Sequence, residues 1–289
     1  MNKHYLHLIK PGIVIGNLMS AIGGFLIASR GHIHYLLFIE MIIGISLVIA
    51  ASCLLNNIID RDIDSVMERT KNRVLAQHSR LFLNKSILYA LILSVFGFLC
   101  LIYTKNFLIV YLAAIGLFTY VGIYSLWMKR KSIYSIIVGS ISGAMPPVIG
   151  YCAVTNRFDM GALILLMIFS LWQIPHSYSI AILRLHDYKA ARIPTFPIKK
   201  GIKSTKNHMI VYIIGFIIAT ILLTVMRYTS YIFLIIISIM NLWWLYIGSY
   251  GYKIINNDSL WARRMFQLSI IIVVSLNLFL SLDPILFHM

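Results

Sequence analysis

The chain has 289 residues, 60% of them hydrophobic and only 12% charged, where globular domains average roughly 45–50% apolar and about 25% charged. A bilayer span takes about 20 apolar residues, so this content corresponds to about nine spans and excludes a large soluble domain. Lys and Arg number 25 against 9 Asp and Glu, a formal charge of +16, which in a chain of this kind marks loops held against anionic lipid rather than a nucleic-acid surface.

Hydropathy predicts an all-α, polytopic membrane protein whose single transmembrane domain covers residues 1–289. Its apolar runs lie near 13–29, 36–56, 84–103, 107–127, 133–154, 160–182, 209–226, 229–248 and 267–287. The first follows Lys3 and Lys10 but lacks a small-residue cleavage site and has eight spans behind it, so it reads as a helix and not a signal peptide. Cys53, Cys100 and Cys152 sit in or at the ends of apolar runs and read as small buried hydrophobes. With the N-terminus inside, 21 of the 25 basic residues fall on the tail and the alternate loops of one side, leaving only Arg30, Lys105, Arg157 and Arg227 opposite. That asymmetry predicts a cytoplasmic N-terminus and an outside C-terminus. Two long polar loops, about 57–83 and 183–208, then face the cytoplasm, and any chemistry is expected in a cavity opening to that side. Pro146, Pro147 and Pro175 fall inside apolar runs, where each removes a helix hydrogen bond and is expected to kink its helix beside a cavity.

Four of the nine acidic residues crowd into 60–68. Asn56, Asp60 and Asp64 follow one another at about 40° around a helix and span about 12 Å of it, a polar stripe at the end of the second span. An ionised Asp costs about 2.5–3.5 kcal/mol at the centre of a spanning helix, so the stripe must meet a wet cavity at the helix end. Three oxygen-bearing side chains there suit Mg²⁺, which joins one or two carboxylates to substrate phosphates. Lys71 and Arg73 supply a cationic clamp for a diphosphate, with Arg61 and Arg69 as further candidates. The same residues also fit a solvated, salt-bridged helix end of the kind the positive-inside rule produces.

The stretch NNIIDRDIDSVMERTKNRVL at 56–75 resembles the first aspartate-rich motif of the intramembrane prenyltransferases of the UbiA superfamily. Similarity runs on through KPGIVIGNL at 10–18, YSLWMKR at 124–130, SGAMPPVIGYCAVT at 142–155 and SLWQIPHSYSIAILRLHDYKAARIPTFP at 170–197, and is strongest to the branch that farnesylates haem. The resemblance implies nine helices, a bacterial inner-membrane location, and transfer of a farnesyl group from farnesyl diphosphate to a vinyl group of protohaem IX (haem B), with water adding to give haem O. It assigns Asn56, Asp60 and Asp64 to Mg²⁺, beside which the basic run places Lys71 and Arg73 for the diphosphate. A haem-modifying enzyme or a terminal oxidase under assembly would receive the product.

Other members of the superfamily carry a second Asp-x3-Asp motif after the sixth span. Here Asp187 stands without a second Asp, near His176, Tyr178, Arg184, His186 and Lys189. His176 and Asp187 are expected on one helix face, with His176 and His186 as candidates for haem contact or iron ligation, Tyr178 and Arg184 for haem contact, and Asp187 for catalysis. A neutral hydrogen-bonding role for His176, and anchoring roles for Arg184 and Lys189, fit these residues equally. The alternatives are a sister prenyltransferase acting on a quinone precursor, and an ion transporter, which would need ionisable residues toward the outer face; Glu40, Asp159 and Asp283 are the candidates there. No P-loop, CxxC or dinucleotide fingerprint is present, which removes nucleotide hydrolysis and pyridine-nucleotide redox chemistry from consideration.

Overall fold

The computed structural model describes residues 8–77, 80–252 and 257–286, with the side chains of 80, 81, 285 and 286 excepted. Lys3, Lys253 and the side chain of Arg80, counted above in the charge asymmetry, lie outside the described residues. Among these residues nine helices are long and apolar enough to cross a membrane, as the hydropathy predicts. They are α1 (Pro11–Ser29), α2 (Tyr35–Ile59), α3 (Arg80–Tyr103), α4 (Phe107–Lys131), α5 (Ser135–Thr155), α6 (Met160–Leu183), α7 (Phe196–Val225), α8 (Tyr231–Tyr250) and α9 (Asp258–Leu286).

The helices differ from the hydropathy runs mainly at their polar ends. Helix α7 begins at Phe196 rather than near 209, and α9 at Asp258 rather than near 267. Their N-terminal turns carry the exposed Lys199, Lys200, Lys203, Arg263 and Arg264 and the buried Lys206, which pairs with Asp258 at 2.6 Å; a hydropathy window discards such charges although a helix tolerates them when solvated or paired. Pro197 in the first turn suits the start of α7, and Gly201, at φ 82°, bends it. The two long polar loops are partly helical, with short helices at Arg61–Val66, Val74–Gln77 and Leu185–Ala190. Helices α5 and α6 run continuously through Pro146, Pro147 and Pro175.

Helices α1, α5, α6 and α9 pack on one another at the centre, with α2 and α3 paired to one side and α7 and α8 to the other. Between lipid-like neighbours close packing depends on small residues at the crossings. At the α1–α5 crossing a Cβ on Gly24 would lie 1.9 Å from the Pro147 carbonyl oxygen, and one on Gly150 2.0 Å from that of Ala21. The two backbones touch, and only glycine fits on either side. Gly24→Val is therefore expected to destabilise the detergent-solubilised protein by more than the roughly 1–3 kcal/mol typical of overpacking about a movable side chain, and so to lower its melting temperature sharply. Gly215→Ala, whose Cβ would meet only Leu171 methyls at 3.4 Å or beyond, should leave it nearly unchanged, and equal melting curves for the two variants would refute the account.

Candidate functional site

The end of α2 carries the acidic stripe. The chain stays helical through the junction at Asp60, whose N–H donates to Asn56 O (2.9 Å) while its own carbonyl accepts from the Asp64 N–H (2.7 Å). Asn56, Asp60 and Asp64 are all buried, on the shared face that their spacing predicts. Asn56 Nδ2 donates to Asp60 Oδ2 (2.8 Å) and to Ser125 Oγ (3.0 Å), and its Oδ1 accepts from Lys10 Nζ (2.7 Å). Lys129 Nζ pairs with Asp60 Oδ2 at 2.5 Å, and Arg73 with Asp64 Oδ2 at 2.7 Å. The other oxygen of Asp60, Oδ1, is buried with no hydrogen-bond partner among the described residues.

Local backbone geometry delivers each cation. Lys10, just before Pro11, adopts a left-handed conformation (φ 52°), uncommon for a residue with a Cβ, and its carbonyl accepts from Ile13 N at the start of α1. Burial, followed by the nearby charge of Arg73, pushes the Lys10 ammonium down to about 8. In the last part of α4, Thr119–Met128, the turns widen to five-residue spacing, with Lys129 N–H donating to Tyr124 O. This registers Ser125 and Lys129 toward α2, and wide turns of this kind are frequent at functional sites. Arg73 is carried back by turns at 67–73, where Thr70 and Lys71 N–H groups bond Met67 O and Thr70 Oγ1 bonds Asp64 O. Arg73 also reaches Asn57 Oδ1 (3.4 Å), and Asn57 Nδ2 holds Leu8 O at 2.7 Å.

The remaining clamp candidates lie elsewhere. Lys71 is exposed and pairs with Glu68 (2.6 Å), and Arg61 and Arg69 are exposed. Asp62, pointing away as its helical phase requires, forms a two-pronged pair with Arg130 (2.7 Å on both contacts) that holds its carboxyl below the usual carboxylate range. Lys10, Ser125 and Lys129 are cluster members that the sequence reading passed over. Each lies far along the chain from the stripe, and a lysine at a helix end carries no local mark separating a ligand from a topology anchor.

A cavity of about 540 Å³, mostly apolar, lies in the bundle next to this cluster, whose own residues do not line it. Gly12, Ser52, Cys53 and Tyr120 in its wall each lie within about one turn of Lys10, Asn56 or Ser125. Ser142 and Gly143, whose carbonyls lose their helical partners to Pro146 and Pro147, line it as well. So do Trp172, Gln173 and His176 of α6 and Asn277 of α9. Tyr178 is absent from the wall; it is fully buried against Phe196 on another face of α6. Asp187 leaves the face of His176 to accept a hydrogen bond from Glu68 N–H (3.1 Å), tying the two polar segments together. Ile63, Met67 and Ile193 close into a small core at the same junction. Arg184, His186 and Lys189 are exposed.

A model of the UbiA prenyltransferase family matches residues 17–271. The chain belongs to this family. It is 77% identical over 287 residues to the protoheme IX farnesyltransferase of Blochmanniella pennsylvanica, across 99% of this chain and 98% of the relative. It is 60% identical to that of Blochmanniella floridana, across 98% of each, and 54% identical to that of Yersinia pseudotuberculosis, across 98% and 95%. Among solved structures, a digeranylgeranylglyceryl phosphate synthase superposes with a TM-score of 0.81 at 21% identity, covering 98% of each chain. A UbiA homolog from Archaeoglobus fulgidus bound to GPP and Mg²⁺ gives 0.69 at 14% identity, covering 96% and 99%. At these identities the two structures speak for the fold.

Geometry separates two groups of basic residues in this member of the UbiA family. Lys10→Met and Lys129→Met should each weaken binding of a prenyl diphosphate at least about tenfold, the scale of a charge-assisted contact. Lys71→Ala, which removes an exposed pair worth about 0–1 kcal/mol, should leave binding within about twofold. Titration calorimetry with the four proteins checks this, and a large loss in Lys71→Ala alone would reverse the assignment.

Proposed function

We propose that the chain transfers a farnesyl group from farnesyl diphosphate to a vinyl group of protohaem IX, with water adding to give haem O and diphosphate. The carrying observation is the buried Asp60–Asp64 cluster with its three cations, about one helical turn from the wall of an apolar cavity, in a chain whose full-length relatives bear the name of that activity. The polar end supplies what a departing diphosphate needs, and the cavity supplies what an isoprenoid chain and a porphyrin need.

Mg²⁺ fits the donor set. Among the described residues no group of three or more His, Cys, Asp and Glu is gathered to hold a metal, but two carboxylates with substrate oxygens are the usual Mg²⁺ pattern. The unpartnered buried Oδ1 of Asp60 is an oxygen awaiting a cation. Asp60 and Asp64 would hold the ion, with Asn56 beside them, and when bound it neutralises charge developing on the leaving group. Lys10, Lys129 and Arg73 outnumber Asp60 and Asp64 by one positive charge. A divalent ion and a trianionic diphosphate ester together bring the site to neutrality. With the carboxylates engaged by the ion, Lys129 and Arg73 are free to donate to phosphate oxygens, the preorganised stabilisation that favours ionisation. The apolar wall keeps water from the allylic cation until the electron-rich vinyl group captures it.

His176 and Trp172 are on the porphyrin side of the cavity in this reading, and Asp187 acts through the junction with Glu68 rather than on substrate. The basic-residue asymmetry supports a cytoplasmic N-terminus, an outside C-terminus and a cavity opening to the cytoplasm, and the bacterial relatives support residence in a bacterial inner membrane. The product would pass to a haem-modifying enzyme or an oxidase under assembly. Ion transport is disfavoured because two of the three carboxylates it would use toward the outer face are committed at helix starts, Asp159 as a cap and Asp283 to the capping Ser230. Asp159 accepts from Gly161 and Ala162 N–H at the start of α6, and Asp283 from the backbone N–H and hydroxyl of Ser230 at the start of α8.

Mass spectrometry of haem extracted after incubating the purified protein with protohaem, farnesyl diphosphate and Mg²⁺ tests the reading. The hydroxyethylfarnesyl product is expected, with none in EDTA. Asp60→Ala and Asp64→Ala should lose at least about 10²-fold in turnover, as expected on removing a preorganised charge from the reacting centre, while still eluting as folded protein. Full activity in either variant would sink the metal assignment, and no product from the folded wild type would sink the function.

A further inference from the structure

The cavity wall opposite the ion cluster holds an imidazole whose surroundings determine where its proton sits. His176 Nδ1 lies 2.7 Å from Ser269 Oγ, and that hydroxyl donates to Phe266 O at 2.6 Å. A serine hydroxyl has one proton. The 2.6 Å approach to Phe266 O assigns that proton to the carbonyl, so Ser269 faces His176 with a lone pair and the hydrogen-bond network assigns the ring proton to Nδ1. Nε2 then carries the free lone pair.

The ring cannot turn that lone pair away. Trp172 stacks on one side (centroids 4.8 Å, interplanar 23°) and Phe266 packs at 5.0 Å and 30°. Trp172 is itself anchored by its Nε1–H to Ser269 O at 2.8 Å, so one fully buried serine fixes both α6 side chains. With the Nδ1 edge bonded and aromatic rings packed against the imidazole, the Nε2 edge is left for the cavity that His176 lines. Among the described residues no donor reaches Nε2.

An imidazole on a cavity wall, with its ring N–H committed to an oxygen and its other nitrogen without a partner among the described residues, has the outer-shell arrangement of metal-ligating histidines. We propose that His176 Nε2 is the axial ligand to the iron of the acceptor porphyrin, and that Ser269 is the positioning residue that sets its tautomer. This rests on protohaem being the acceptor. The Fe–N bond forms by donation of the Nε2 lone pair without proton or electron transfer, so the acceptor is anchored by its metal while its vinyl groups remain unengaged.

Optical and EPR spectra of ferric haem, and optical spectra of ferrous-CO haem, bound to the full-length protein in nanodiscs test the proposal. The wild type should give imidazole-type spectra, His176→Gly should lose them, and added imidazole should restore them. Ser269→Ala should weaken haem binding by about 10–100-fold, the usual effect of removing an outer-shell partner, yet bind iron-free protoporphyrin IX as the wild type does. That contrast separates tautomer control from lost packing, and it keeps the test open if His176→Gly fails to fold. Imidazole-type spectra persisting in His176→Gly, or equal losses for haem and iron-free porphyrin in Ser269→Ala, would overturn the proposal. Absence of farnesyl transfer by a wild type with His176-dependent spectra would refute the function and uphold the ligand.

Discussion

Two aspartates buried at one end of an apolar bundle impose the constraint from which the rest of the site follows. A buried carboxylate must be paired and hydrogen-bonded, and here the partners come from four separate parts of the chain. Lys129 answers Asp60, Arg73 answers Asp64, and Asn56 links Asp60 to Ser125 and Lys10. The unusual local geometry nearby serves the same demand. The widened turns of α4 face Ser125 and Lys129 toward α2, the left-handed backbone of Lys10 accompanies its reach to Asn56, and the turns after Met67 return Arg73 to Asp64. The buried Oδ1 of Asp60 is left without a hydrogen-bond partner among the described residues, and it is the feature on which the proposed cation site rests.

The cavity behind the cluster depends on a different economy of contact. Glycine at the α1–α5 crossing lets two backbones meet without side chains between them, and the open volume lies beside that tight joint. Prolines in α5 release carbonyls at Ser142 and Gly143 toward the cavity, giving polar atoms in an otherwise apolar wall. A Cβ on Gly143 would lie 1.8 Å from Gln173 Oε1, so the Gln173 amide lies directly over this released stretch of α5. On the far side Ser269 orients Trp172 and His176 together. In the proposed reading the charged cluster serves the leaving group and the ordered aromatic wall a flat acceptor, with the cavity wall coming within about one helical turn of the cluster.

Much of this architecture was legible from residue order alone. Composition and run length determined an all-helical membrane chain with nine spans, because lipid leaves a backbone few ways to satisfy its hydrogen bonds. The spacing of Asn56, Asp60 and Asp64 determined that they share a face, because helical phase is local. Asp62 was excluded from that face for the same reason, and the motif as a whole identified the family. The polar ends of α7 and α9 were not legible, since a helix leaving the membrane keeps its hydrogen bonds while losing the hydropathy that announces it.

Tertiary structure alone decided which cations serve the stripe. Lys71 and Arg73 differ by two residues, yet one pairs with Glu68 at the surface and the other with buried Asp64, a choice made by the turns between them. Lys10 and Lys129 read as topology anchors until the fold brought them to Asn56 and Asp60. The same holds on the other wall, where Tyr178 and His176, two residues apart, turn to different faces of α6. The tautomer of His176 depends on a serine 93 positions away. Helix phase and hydropathy are properties of neighbours in the chain and can be read there. Charge compensation and hydrogen-bond direction are properties of neighbours in space, which only packing creates.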